Sequence, residues 1–314
     1  MTVERLLRIG LAAQLLGGAL IALWLLPDRA AWLALPIALL VPLVGTGIVL
    51  AIEIAIGAAI DPRRPSLPLP QLIAVWWEET LISTRMFALA QLFAARFPEP
   101  ALMRDAARPA VLLVHGYMCN RAVWRRFLDS GELRDCNVAT VNLEPIFGPI
   151  DGYAEVVHDA IERLRAATGT GQVVLVAHSM GGLALRVYLR KYGAAAVSKA
   201  ITLATPHAGT AMGSFGTGSN SREMKPGSPF LQQLAHDLAP ELLAKLVCVG
   251  TRDDHLIVPR SSPFLPGARH VVFERVGHLA LIEDRRAWDL LRNEIQASRA
   301  MRPTEAQRVI DSAM

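Results

Sequence analysis

Ser179 lies in the stretch 173–182, VVLVAHSMGG, where a run of apolar, largely β-branched residues ends in Ala-His-Ser-Met-Gly-Gly and the helix-forming LALRVYLRKY follows at once. A strand that turns into a helix through one Ser flanked by small residues is the sequence form of a nucleophile elbow. Side chains two positions before and two after the Ser would collide in so tight a turn, and Ala177 and Gly181 meet that demand. Ala177 stands where the common pattern has Gly, a departure of one methyl group. The chemistry expected of such a Ser is covalent catalysis by an activated hydroxyl.

A second segment bears on the same chemistry. The apolar run 110–114, AVLLV, passes straight into His115-Gly116-Tyr117-Met118. A Gly just after a strand lets backbone N–H groups approach a ligand closely and point at a developing oxyanion. It precedes the elbow by about sixty residues, which fits a strand-to-helix loop of the same sheet.

The elements that must position these residues alternate regularly. Strands are expected at 110–114, 138–142, in the apolar run that enters the elbow, and at 200–204, 245–250 and 270–274. Helices are expected at 153–168, with Val156, Ile161 and Leu164 on one face, after the elbow, and at 285–297. Such alternation implies an α/β domain with a doubly wound, mostly parallel sheet covered on both faces. It lapses across 206–243, where GSFGTGSNSREMKPGSPF reads as loop and LQQLAHDL as a short helix. A loop of this length is a candidate lid or acyl-pocket wall. There is no internal repeat.

Residues 1–60 are of another kind. Positions 9–26 are apolar except for Gln14, and after Pro27-Asp28-Arg29 the chain is apolar again to Ile52. Each run approaches or exceeds the roughly 20 residues that span a bilayer as helix, so a transmembrane helical hairpin is expected. A cleaved signal peptide and a pair of buried soluble helices are the rivals. The first lacks a clear cleavage site, and the second lacks a polar face. Pro36 and Pro42 would kink the second run, and Glu53 either ends the span or faces the first helix. Arg5 and Arg8 precede the hairpin, Arg63 and Arg64 follow it, and only Arg29 lies in the turn. Both ends, and the domain beyond, are therefore expected on the cytoplasmic side of a membrane. Residues 61–107 read as a Pro-rich linker, DPRRPSLPLP, and an amphipathic helix over 71–97. That helix either lies in the headgroups or packs on the domain.

Composition agrees with lipid contact: 52% of the 314 residues are hydrophobic. The net charge of +4 comes from dispersed arginines, with lysine only at 191, 199, 225 and 245, so no nucleic-acid surface is indicated. Cys119, Cys136 and Cys248 are odd in number and lack metal-ligand spacing, which argues against a disulfide framework.

Residues of about 108–297 resemble the bacterial lipase and esterase branch of the α/β-hydrolase fold, triacylglycerol lipases among them. LLVHGY, VLVAHSMGGLALR, ITLATPHAGT, TRDDHLIVP and VGHLALI carry the resemblance. It implies the chain order nucleophile, acid, His: Ser179, then Asp254 with Asp253 as the alternative acid, then His278. It also implies backbone N–H donors at Tyr117 and Met180 for the oxyanion hole, no metal and no cofactor. The function implied is hydrolysis of carboxylic esters, lipid esters by virtue of the hairpin. The alternatives are acyl transfer or thioester cleavage with the same residues, and a non-catalytic membrane scaffold. His115, His178 and His207 are expected to pack or bond backbone, His255 to compete with His278 only if the loops differ, and Cys119 to be an ordinary thiol. The segment 298–314 is expected to be a tail.

Overall fold

A computed structural model describes residues 2–26, 31–61, 67–235 and 239–300. Residues 27–30 with Arg29, 62–66 with Arg63 and Arg64, 236–238 at the end of the stretch LQQLAHDL, and those from 301 lie outside the described residues.

Three helices come first: α1 (Val3–Leu25), α2 (Ala34–Ile60) and α3 (Leu69–Ala88). Strand β1 (Ala110–Val114) is followed by α4 (Arg125–Asp129), β2 (Asn137–Val141), α5 (Tyr153–Thr168), β3 (Val173–His178), α6 (Met180–Tyr192) and β4 (Val197–Leu203). The segment 206–243 is not plain loop: it holds a 3-10 turn at Ala211–Ser214 and the short helices α7 (Ser219–Glu223), α8 (Pro229–Ala235) and α9 (Pro240–Leu243). Strands β5 (Leu246–Thr251) and β6 (Arg269–Phe273) and helix α10 (Arg285–Ala300) close the order.

All six strands are parallel, in the order β2-β1-β3-β4-β5-β6. Because successive side chains in a strand point to opposite faces, β1 feeds two cores. Ala110, Leu112 and Val114 pack with α5 and α6, while Val111 and Leu113 pack with Phe127, Leu291 and Ile295 of α4 and α10. The sheet grows in one direction from β1 to β2 and in the other from β1 to β3. That makes the β1–β3 junction a topological switch point, where the loops leaving the two strands diverge and open a crevice. The His115-Gly116 loop leaves β1 there and Ser179 leaves β3.

Helices α1 and α2, of 23 and 27 residues, are long and apolar enough to cross a membrane. They pack tightly because Gly18 has no side chain: a β-carbon there would lie 2.5 Å from Val41 Cγ2. Pro36 falls in the first turn of α2, where an absent N–H breaks no bond, and Pro42 lies inside the helix. The helix runs past Glu53 to Ile60. Glu53 is partly buried and points at the loop after β5. Its Oε2 lies 3.5 Å from Nε2 of His255, in the loop after β5.

The base of the hairpin is tied to the rest of the chain. Arg8 Nε and Nη2 donate to Leu92 O at 2.8 and 2.6 Å, and Glu4 Oε1 accepts from Ala95 N at 2.6 Å. Trp76 Nε1 donates to Gly47 O at 2.8 Å, fixing α3 along α2. Helix α3 packs on the domain with one face and leaves another exposed. Val75, Ile82 and Met86 are buried, the last two in the core beneath α10, whereas Leu69, Ile73, Trp77 and Leu81 form an exposed apolar stripe at every fourth residue.

Candidate active site

Ser179 adopts φ 54° and ψ −130°, a backbone state that costs a non-glycine residue energy and is held by its surroundings. The bracing is local. Ser179 N donates to Leu203 O at 2.8 Å, and Ser179 O accepts from Gly182 N at 3.0 Å and Thr205 Oγ1 at 2.9 Å. A β-carbon on Gly182 would lie 2.1 Å from Thr205 Oγ1, and one on Gly181 would lie 2.5 Å from His115 O. Ala177 is accommodated as a fully buried residue of β3, paired with Val114 and Thr202. The Ser179 side chain abuts the loop after β1, where a β-carbon on Gly116 would come within 2.8 Å of Ser179 Cβ.

The loops after β5 and β6 bring Asp254 and His278 together. His278 Nδ1 lies 2.9 Å from Asp254 Oδ2 and 3.1 Å from Oδ1, and both side chains are buried. Asp254 is the member of the acidic pair that faces His278. Asp253 Oδ2 instead accepts from the backbone N of Arg275 at 2.6 Å. Asp254 Oδ1 is further held by Leu256 N and Ile257 N at 2.9 and 2.8 Å. Burial works against a charged Asp254, but the neighbouring His278 and these N–H groups outweigh it and hold its carboxyl below the usual carboxylate range. Burial likewise pulls His278 down. The Asp254 carboxylate and its hydrogen bond reverse this and leave the imidazole above its ordinary value. With Nδ1–H given to Asp254, Nε2 is the nitrogen left to accept a proton. Among the described residues no hydrogen bond joins it to Ser179 Oγ, and such bonds commonly tighten only in the reactive complex.

Two backbone donors are available beside the Ser. Among the described residues the N–H groups of Tyr117 and Met180 donate to no protein acceptor. Met180 N opens α6, where the first N–H groups of a helix lack partners and the helix dipole favours negative charge. Tyr117 sits on a loop held from above, since its hydroxyl donates to Thr217 O at 2.7 Å and accepts from Thr217 N at 2.8 Å. Thr217 of the segment 206–243 therefore lies against this loop.

The remaining histidines bond to the framework. His115 Nε2 accepts from Leu143 N at 2.9 Å, which leaves Nδ1–H for Gly116 O at 2.8 Å, and burial lowers its pKa to about 4. His178 Nε2 lies 3.2 Å from His278 O, and its ring tilts against that of His278 at 4.6 Å. Burial, with the neighbouring His278, lowers its pKa to about 3. His207 Nε2 meets Thr202 Oγ1 at 3.0 Å. His255 is buried and its ring centre stands 6.1 Å from that of His278, so it adjoins the site without replacing His278 opposite Asp254. Cys119 is buried, which raises its thiol to about 12, and none of the three cysteines is in a disulfide. Among the described residues no group of three or more His, Cys, Asp or Glu side chains has the arrangement of a metal site.

One residue of the site has no counterpart in the sequence reading. Glu79 of α3 is buried, and its Oε1 and Oε2 accept from the backbone N of Leu279 and Ala280 at 2.7 and 2.9 Å, directly after His278. Its only sequence signal is position. Glu79 shares a helix face with Val75, Ile82 and Met86, spaced four, three and seven residues away, and a carboxylate on a core-facing stripe requires a partner.

A sequence model of the alpha/beta hydrolase family matches residues 111–245. No curated protein matches the sequence. Among solved structures, the mature form of the Bacillus licheniformis lipase BlEst2 superposes with a TM-score of 0.55 at 16% identity, over 62% of this chain and 95% of that one. Aspergillus fumigatus lipase B gives 0.54 at 17% identity, over 63% of this chain and 55% of that one. At such identities the likeness is one of fold.

Proposed function

We propose that the chain, whose residues 111–245 match the alpha/beta hydrolase family model, is a membrane-anchored serine hydrolase of carboxylic esters, acting on lipid or acylglycerol esters. The observation that carries this reading is the pair His278–Asp254 at 2.9 Å, on loops that follow β5 and β6 at the C-terminal end of the sheet, where Ser179 leaves β3 in a strained elbow. Ser179 Oγ attacks the ester carbonyl carbon while His278 Nε2 takes its proton, and Asp254 holds the tautomer and stabilises the imidazolium. The N–H groups of Tyr117 and Met180 receive the oxyanion. Each such donor is worth roughly 3–4 kcal/mol of barrier. The alcohol leaves with the proton from His278. Water then attacks the acyl-enzyme by the same steps in reverse and releases the acid.

The lipid part of the reading rests on surface. Trp24, Leu35, Leu39, Val44, Ile48 and Ile52 of α1 and α2 are exposed, and the α3 stripe continues that apolar face. A contiguous patch of this extent on a water-facing surface would be unstable, and a bilayer would cover it. The arginines at 5 and 8, with those at 63 and 64, set the domain on the cytoplasmic face under the positive-inside bias.

A fluorophosphonate probe tests the chemistry. Wild type in detergent should be labelled, Ser179→Ala should not, and equal labelling of the two would refute the assignment. A hydrolysis profile across acyl length tests the substrate. Long-chain esters presented in vesicles should be cleaved best, and a steep preference for short, soluble esters would overturn the lipid reading.

A further inference from the structure

The two hydrogen bonds from Glu79 cross between parts of the molecule that the sequence places 200 positions apart. Oε1 receives Leu279 N and Oε2 receives Ala280 N, so both oxygens are used and the loop carrying His278 is gripped in two places. The contact is close-fitting as well as polar. Gly277 precedes His278, and a β-carbon on it would lie 2.3 Å from Glu79 Oε2. The carboxylate thus occupies the space a side chain at 277 would need. On its other side, Glu79 Oε1 lies 3.9 Å from His255 Nε2, with Glu53 of α2 on the same nitrogen.

From this geometry we propose that Glu79 is a positioning residue for His278, so that helix α3, outside the α/β-hydrolase body, is part of the active site. The inference rests on the assignment of His278 as the base for Ser179. Two charge-assisted hydrogen bonds to consecutive backbone N–H groups hold the turn that presents the imidazole, while His178 holds its carbonyl from the opposite side. With both neighbours in place the ring has one orientation, with Nδ1 on Asp254. Losing the grip at Glu79 would let the loop relax, and a displacement of about 1 Å at a reacting group can cost on the order of 100-fold in rate.

Glu79 also acts on His278 by charge, since a nearby carboxylate favours the imidazolium. The groups that face Glu79 are His255 and Asp254 from the β5 loop and His278 from the β6 loop, and Glu53 of α2 shares His255 Nε2 with it. Arg260 acts on His255 from the same side of the site. Burial raises Glu79 to about 7 against the pull of its two backbone donors, so its charge is largely present above neutral pH.

The test compares full-length wild type, Glu79→Gln and Gly277→Ala in detergent, each checked for a cooperative thermal transition, by the rate of fluorophosphonate labelling across pH 5–9. In that reaction Ser179 Oγ bonds to phosphorus, fluoride leaves and the Ser proton passes to His278, so the rate reports the Ser–His pair directly. Gln presents one oxygen to two N–H donors, and Ala at 277 displaces the carboxylate without removing it. Labelling should slow by on the order of 100-fold in both variants. In Glu79→Gln the midpoint of the pH–rate curve should also fall, a shift that loosened packing alone would not produce. If both variants label at the wild-type rate with the wild-type midpoint, the inference is wrong although the Ser179 reading stands. If Glu79→Gln fails to fold, Gly277→Ala decides alone, a normal rate there overturning the inference. If wild type is not labelled at all, the hydrolase reading falls first.

Discussion

A β-carbon on Gly181 would stand 2.5 Å from the carbonyl oxygen of His115 and 3.0 Å from that of Val114. The start of α6 and the end of β1 are thus closer than any side chain permits. Gly181→Ala is expected to force the two segments apart, destabilising the fold by about 1–3 kcal/mol and lowering labelling of Ser179. Thermal denaturation together with probe kinetics checks it. An unchanged melting temperature would mean the segments can give way.

The two adjacent aspartates should separate cleanly. Asp254→Asn removes the partner of His278 Nδ1 and should lower kcat by roughly 10³–10⁴-fold. Asp253→Asn weakens one bond to Arg275 N, worth about 1 kcal/mol of local stability, and should leave most of the activity. Steady-state ester hydrolysis by the two variants gives the comparison, and the reverse order would move the acid to Asp253.

Activity should rise with pH through a midpoint above the ordinary value for His of about 6.5, because His278 must be neutral to take the Ser179 proton and Asp254 favours its charged form. Its effect on stability has the opposite sign. A raised folded pKa stabilises the protein below about pH 6.5, and that contribution disappears as pH rises through the folded value. His115, His178 and His255 behave the other way, since burial lowers them to about 4, 3 and 4. Their neutral forms support the fold above about pH 6.5, and that support is lost as pH falls toward their folded values. Melting temperature should therefore drop on acidification from pH 7 to 4, and replacing His115 with Gln should flatten that drop.

Trp77 and Trp124 offer a test of the membrane face. Trp77 is 46% exposed on the α3 stripe, whereas Trp124 is fully buried in the core. In single-Trp variants reconstituted with brominated lipid, Trp77 emission should be quenched and Trp124 emission should not. Equal quenching, or none at Trp77, would remove α3 from the bilayer surface.

Buried Arg186 ties the loop after β4 to the covering segment, donating to His207 O at 3.0 Å and to Leu234 O at 2.7 Å. Arg186→Met should leave both carbonyls unpaired at a cost of about 1–3 kcal/mol each. Limited proteolysis should then cut within 206–235 faster than in wild type.

Much of this protein is legible in local sequence because local rules suffice for it. The alternation of apolar runs and amphipathic stretches encodes a parallel sheet with covered faces. The elbow is a contiguous motif whose small residues at 177 and 181 are required by a turn only a few residues long, and the apolar length of α1 and α2 is itself the property that matters in lipid. Other features are properties of assembly. Asp253 and Asp254 are alike in sequence, and only the path of the β5 loop turns one toward His278 and the other toward Arg275. Glu53 reads as an interruption near the end of a span until the loop after β5 places His255 against it. Glu79 reads as one acidic residue on an amphipathic helix, because a hydrogen bond carries no trace in sequence of a partner 200 residues away. Residue order determines which groups are present and what each could do; burial and proximity, which arise only when distant segments pack, decide which of them meet.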